Sequence, residues 1–212
     1  MIDGVLLDMD GTLVDAFPPI IRALNQTFSE YGLAQMSAHD IKRHTGRGDC
    51  SMTALFGAQK AEATRRFLEI HDEDYLQRIT PLEGAEALLL WLKNMHIPCA
   101  IVTSKSQERA EAQLNILGWS HLLQAVVGKT AERVGKPDPA PLLLACDMLS
   151  IKPAETIFML GDGVADMKGA KRAGCSALGL CDAFSAEELT QVGADHCFNS
   201  LTEVNIWLKK IH

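Results

Sequence analysis

Five short apolar runs, separated by longer amphipathic stretches, constrain this chain more than any other feature. Residues 4–9 (GVLLDM), 97–103 (IPCAIVT), 123–127, 156–160 and 175–180 read as strands, and residues 196–198 as a short edge strand. Between them, residues 84–95, 107–117, 139–149 and 165–173 carry helical patterns. The strand runs are apolar on both faces, so both faces must be covered. Such strands alternating with helices predict an α/β fold built on a doubly wound parallel sheet. Loops after the carboxyl ends of the strands then hold the site.

One interval breaks the alternation. From about residue 16 to residue 79 no convincing strand is present, while residues 18–31, 53–56 and 61–76 look helical. The chain therefore divides into a core of residues 1–15 and 80–212 and an all-helical insert of residues 16–79. Two hinges, residues 15–19 and 79–84, carry prolines that stiffen the crossings. Asp15 is placed to cap the first insert helix or hold its hinge.

Composition excludes several classes. The chain has 212 residues, with 20 Lys and Arg against 27 Asp and Glu and a net charge of −7. General nucleic-acid or acidic-membrane binding would need a basic face. The apolar stretches at residues 87–92 and 139–146 are too short to span a bilayer. The first residues, MIDGVLLDMDGTLVD, carry Asp where a secretory leader is basic and then apolar, so a cytoplasmic protein is expected. Cys50, Cys99, Cys146, Cys175, Cys181 and Cys197 show no C-x-x-C or zinc-type spacing and read as free thiols.

Four aspartates fall at predicted strand ends: Asp8 and Asp10 in DMDGT, Asp162 and Asp166 in GDGVAD. A parallel sheet places these ends on one rim. Clustered carboxylates repel and protonate unless a cation sits among them. Oxygen ligands without His or Cys favour a hard cation, most simply Mg²⁺. A metal-bound Asp stays ionised near pH 7 and is competent as a nucleophile.

The neighbouring residues suit an anionic substrate. Gly11 and Thr12 form a turn able to aim backbone N–H groups at an oxyanion. Thr103, Ser104 and Lys105 follow the second strand and open a helix, which makes a phosphate cradle. Lys136, in GKPDP, adds a positive charge.

These four elements, in this order, resemble the motifs of the haloacid dehalogenase superfamily, and the insert falls where its helical-cap members carry their cap. The resemblance covers nearly the whole chain. It implies that Asp8 is the nucleophile that forms an aspartyl-phosphate. Asp10 is implied to protonate the leaving oxygen and then activate water. Mg²⁺ would be held by the Asp8 carboxylate, the Asp10 backbone carbonyl and Asp162, with Asp166 a ligand or orienter. Thr103 would bond the transferring phosphoryl group, and Lys136 would neutralise both it and Asp8.

Dehalogenases of the superfamily lack the second Asp, because a halide leaves without a proton. Asp10 therefore favours phosphoryl transfer. Phosphonatases use a Schiff-base Lys in the cap, but the surroundings of Lys42 and Lys60 do not match that motif. The chain departs from many relatives at Leu7, Ala16, Ser104 and Gly163, where Phe, Ser, Asn and Ser or Thr are frequent. None of these departures removes a catalytic group.

The insert also contains KRHTGRGD, residues 42–49. One reading is a specificity loop with Arg47 meeting a carboxylate or second phosphate; the other is a turn with solvated charges. An Arg here resembles β-phosphoglucomutases, whereas GKPDP resembles phosphoglycolate-type phosphatases. Lys42, Arg43 and His44 carry the same two readings. Trp91 reads as core, His71 as exposed and residues 72–74 as a solvated acidic face. Asp138 and Asp182 have no assigned place.

The expected protein is thus a Mg²⁺-dependent phosphatase of a small phosphorylated metabolite, a monomer or homodimer. One alternative is a phosphomutase; another is a non-catalytic phosphate- or partner-binding protein on the same fold.

Overall fold

The computed structural model describes residues 2–46 and 55–212. In chain order the strands are β1 (Gly4–Leu7), β2 (Val14–Asp15), β3 (Thr80–Pro81), β4 (Cys99–Ser106), β5 (Ala125–Lys129), β6 (Ile157–Gly161), β7 (Ser176–Leu180) and β8 (His196–Phe198). The helices are α1 (Phe17–Glu30), α2 (Ala38–Thr45), α3 (Lys60–Asp72), α4 (Ala85–Asn94), α5 (Gln107–Ile116), α6 (Ala140–Met148), α7 (Val164–Ala173), α8 (Ala186–Gln191) and α9 (Leu201–Ile211).

Six strands form one sheet in the order β5-β4-β1-β6-β7-β8, and every neighbouring pair is parallel. The two-residue period of a strand sorts side chains to opposite faces. Val5, Leu7, Ile101, Phe158, Leu160 and Leu178 enter one apolar cluster with helices α4, α5 and α9. Their neighbours Leu6, Ala100, Val102, Met159 and Ala177 enter a second cluster with α6, α7 and α8. Both faces are therefore dry, as continuous apolar runs require. The chain leaves β1 towards β4 and β5, then returns to the other side of β1 at β6. That reversal opens a crevice at the carboxyl end of β1.

Helices α1 to α3 close around a third cluster, drawn from residues 17–70, in which the Phe28 and Phe56 rings meet edge-on at 5.7 Å. Helix α1 starts at Phe17, whose N–H donates to Asp15 Oδ1 at 3.1 Å. The expected helix at 53–56 lies partly outside the described residues, as does Cys50. The five described cysteines are free thiols. No helix among the described residues is long and apolar enough to cross a membrane.

Several expectations need correction. The two hinges are not separate stiff linkers. They pair as antiparallel β2 and β3, with Val14 opposite Pro81 and Asp15 opposite Thr80. Thr103, Ser104 and Lys105 do not open a helix. They belong to β4, whose register against β5 shifts between Val102 and Ser106, and α5 begins only at Gln107. Trp91 is partly buried and packs on the rim of the first cluster. His71 is buried, not exposed, at 4% of its accessible surface. Residues 72–74 are not a free acidic face: Asp72 pairs with Arg109, Glu73 with Arg22, and Asp74 with Arg22 and Arg78.

Candidate active site

The crevice at the end of β1 gathers most of the residues expected at a site. Asp8 follows β1 directly, and its N–H donates to Leu160 O at 2.9 Å, so the β1–β6 pairing fixes its position. Asp162 follows β6. Asp166 sits in the first turn of α7, where its Oδ2 accepts the Gly163 N–H at 3.0 Å. One carboxylate oxygen from each of Asp8, Asp162 and Asp166 lies within 4.8 Å of the others, and all three residues are buried.

Lys136 is the cation within this group. Its Nζ donates to Asp8 Oδ1 at 2.8 Å, Asp166 Oδ1 at 2.6 Å and Val102 O at 2.7 Å, which uses all three ammonium protons. One ammonium does not balance three carboxylates. Burial raises the Asp8 carboxyl to about 7 despite Lys136, and Asp166 and Asp10 add repulsion. Burial, then Asp8 and Asp166, hold Asp162 well above the ordinary carboxylate range. For Lys136 burial acts downward, but Asp166 and Asp8 outweigh it and its pKa rises. The lysine is oversupplied with negative charge while the carboxylates lack positive charge.

That deficit, with an all-oxygen donor set, fits a hard divalent cation. The backbone leaves room for it: Gly11 has φ +82°, and a Cβ there would fall 2.3 Å from Asp162 Oδ2. Thr12 Oγ1 donates to Asp162 Oδ1 at 3.3 Å and orients it. The anion-binding expectation for the Gly11 and Thr12 N–H groups is corrected. They close the turn, Gly11 N–H onto Val14 O and Thr12 N–H onto Met9 O.

Asp10 stands apart from the three-carboxylate cluster. Lys105 Nζ donates to Asp10 Oδ1 at 2.8 Å and to Gln113 Oε1, so this ammonium serves Asp10. Gln113 is fully buried and donates to Tyr75 O at 3.3 Å, in the return from α3. Thr103 Oγ1 accepts the Lys105 N–H at 3.2 Å. Sequence reasoning missed Gln113 because a lone Gln in an amphipathic helix carries no spacing signal.

Asp8, Asp10, Thr103, Ser104, Lys105 and Lys136 line one side of a cavity of about 370 Å³, with Asp162 and Asp166 beside them. The facing wall is made by α1, the end of α2 and α3, through Phe17, Ile20, Gly46, Phe67 and His71. Arg47 lies outside the described residues. Lys42 and Arg43 face elsewhere: Lys42 pairs with Asp182 at 2.6 Å, and Arg43 with Glu188 at 2.7 Å and with Ala183 O. Neither they nor His44 line this cavity. Asp138 Oδ1 accepts the Ala140 N–H at the start of α6.

Residues 5–180 match the haloacid dehalogenase-like hydrolase family. The phosphoglycolate phosphatase of Rhodospirillum rubrum is 33% identical over 218 residues, covering 97% of this chain and 90% of that protein. The N-acetylmuramic acid 6-phosphate phosphatase of Pseudomonas aeruginosa is 30% identical, covering 81% and 78%. A haloacid dehalogenase-like hydrolase from Bacteroides fragilis has the same fold, with a TM-score of 0.88 at 24% identity over 96% of this chain and all of that one. The chain belongs to the haloacid dehalogenase-like hydrolase family.

Proposed function

We propose that this protein is a Mg²⁺-dependent phosphatase that hydrolyses a small phosphorylated metabolite through an aspartyl-phosphate on Asp8. The observation that carries the reading is the buried cluster of Asp8, Asp162 and Asp166, short of positive charge and open to a cavity beside Asp10. The relatives' names, both of phosphatases, support it. They do not favour the mutase alternative.

Asp8, Asp162 and Asp166 would hold the ion, with the Asp10 carbonyl, and Mg²⁺ would supply charge that offsets the phosphoryl oxygens. Asp8 attacks phosphorus; the bond to the ester oxygen breaks as the Asp8–phosphorus bond forms. Lys105 occupies Asp10 Oδ1, so Oδ2 carries the proton that Asp10 gives to the leaving oxygen. Water then attacks phosphorus, Asp10 Oδ2 takes its proton, and Asp8 is regenerated. Lys136 fixes Asp8 Oδ1 throughout and screens the approach of an anion. Thr103 and Ser104 offer hydroxyls to the phosphoryl oxygens.

Helices α1 to α3 act as the cap in this reading, with residues 1–15 and 80–212 as the catalytic core. The test is phosphate release from phosphoglycolate, sugar phosphates, nucleotides and pyrophosphate, with Mg²⁺ and with chelator. Release that needs Mg²⁺ is expected. Equal release in chelator, or none from any ester, would overturn the proposal.

A further inference from the structure

The cap wall of the cavity carries polar groups that the chemistry above does not use. Thr64, Phe67, Leu68 and His71 recur at i, i+3, i+4 and i+7 of α3, and all four line the cavity. Thr64 Oγ1 is buried with no hydrogen-bond partner. The His71 imidazole is held between two rings, stacked on Tyr75 at 5.3 Å and against Phe67 at 5.7 Å. Its Nδ1 lies 3.4 Å from Asp72 Oδ1; Nε2 has no partner among the described residues.

The state of this ring follows from its neighbours. Arg109 holds Asp72 through both carboxylate oxygens and keeps its pKa below the ordinary range. An ionised carboxylate only accepts, so His71 Nδ1 carries the proton. Burial, then the charge of Lys105, lower the His71 pKa and keep the ring neutral. A neutral ring protonated at Nδ1 presents a lone pair at Nε2. The cavity therefore offers an acceptor at His71, beside the Phe67 ring and Leu68.

We propose that His71 recognises the leaving group, and that the favoured substrate is a hydroxyl-bearing ester, a polyol or sugar phosphate, rather than a short phosphorylated carboxylic acid. A hydroxyl donates to Nε2; a carboxylate, which only accepts, meets its lone pair unfavourably. Arg109, which lines the cavity beside His71, is already matched to Asp72. The proposal rests on the phosphatase reading and deepens it.

The experiment compares kcat and KM for sorbitol 6-phosphate, glucose 6-phosphate, phosphoglycolate and p-nitrophenyl phosphate, an aryl ester without hydroxyls. For the unaltered protein, kcat/KM is expected to favour one of the hydroxylated esters over phosphoglycolate by about tenfold or more. His71→Phe keeps an aromatic ring and removes the acceptor. Its loss on the hydroxylated ester is expected to exceed its loss on p-nitrophenyl phosphate by about tenfold, one hydrogen bond's worth. His71→Gln, which retains an acceptor, is expected to recover part of that selectivity. A preference for phosphoglycolate, or equal losses on all esters, would overturn the inference. Absence of Mg²⁺-dependent hydrolysis of any ester, p-nitrophenyl phosphate included, would instead overturn the phosphatase reading and this inference with it.

Discussion

Asp8 and Asp162 are each held above their ordinary pKa by burial. A carboxyl raised in the folded state stabilises the fold while protonated, fully below its unfolded pKa, and that contribution is lost as pH rises through the folded value. Metal-free protein is therefore expected to lose thermal stability between about pH 5 and pH 8. Saturating Mg²⁺ is expected to flatten that slope, and melting curves in chelator and in Mg²⁺ check it. Lys136→Met removes the cation that, among the described residues, bonds both Asp8 and Asp166. It is expected to cost the metal-free fold about 3–5 kcal/mol near neutral pH, read by urea denaturation, because it strands buried charge. DMDGT, GKPDP and GDGVAD made these residues legible, since each motif keeps its charged side chain at a fixed distance from a strand end. His71 was not legible. The acidic run after it suggested solvent, but Arg109, Arg22 and Arg78 neutralise that run and let α3 turn the imidazole inward.

At the scale of elements, the residue that ends α2 reaches α7 through a backbone hydrogen bond. Gly46 O accepts the Ala165 N–H at 3.1 Å, and a Cβ on Gly163 would fall 2.6 Å from that carbonyl. Gly163→Ser is therefore expected to push the end of α2 off the core and raise KM by about tenfold, since small misplacements are costly to a closed site. Steady-state kinetics check this; an unchanged KM would show that the contact does not position the cavity wall that α2 helps to make. Phe28→Ala, deep in the helical cluster, is expected to cost about 3–5 kcal/mol in urea denaturation. The central strands β1, β6 and β7 were readable because their runs are apolar on both faces. The end of β4 was not: Thr103 to Lys105 resemble a helix start in composition. Their backbone instead spans the register shift after Val102, beyond which Ser106 pairs with Lys129.

For the whole molecule, charged pairs tie the helical segment to the sheet and its helices. Arg43 bonds Glu188 and Ala183 O and lies 4.4 Å over the Phe184 ring, Lys42 meets Asp182, and Arg109 crosses to Asp72. These partners are partly exposed, so each tie contributes about 0–1 kcal/mol and weakens with salt. Raising NaCl from about 0.05 to 0.5 M is expected to speed proteolysis at the β2 and β3 linkers while the core melting temperature moves little. Limited proteolysis followed by mass spectrometry checks this. The run of helices without strands between residues 16 and 79 was legible from its sequence pattern, among the described residues. The ties were not, because partners such as Arg43 and Glu188 lie 145 positions apart.

The central claim, that Asp8 is the nucleophile, is tested most directly by Asp8→Asn assayed for Mg²⁺-dependent release from the best ester. The amide keeps the side chain's shape and removes its charge. Turnover is expected to fall by about 10⁴-fold or more, while the metal-free variant melts no lower than the unaltered protein, because a carboxyl raised by burial has been neutralised. Turnover within about tenfold of the unaltered protein would contradict the account.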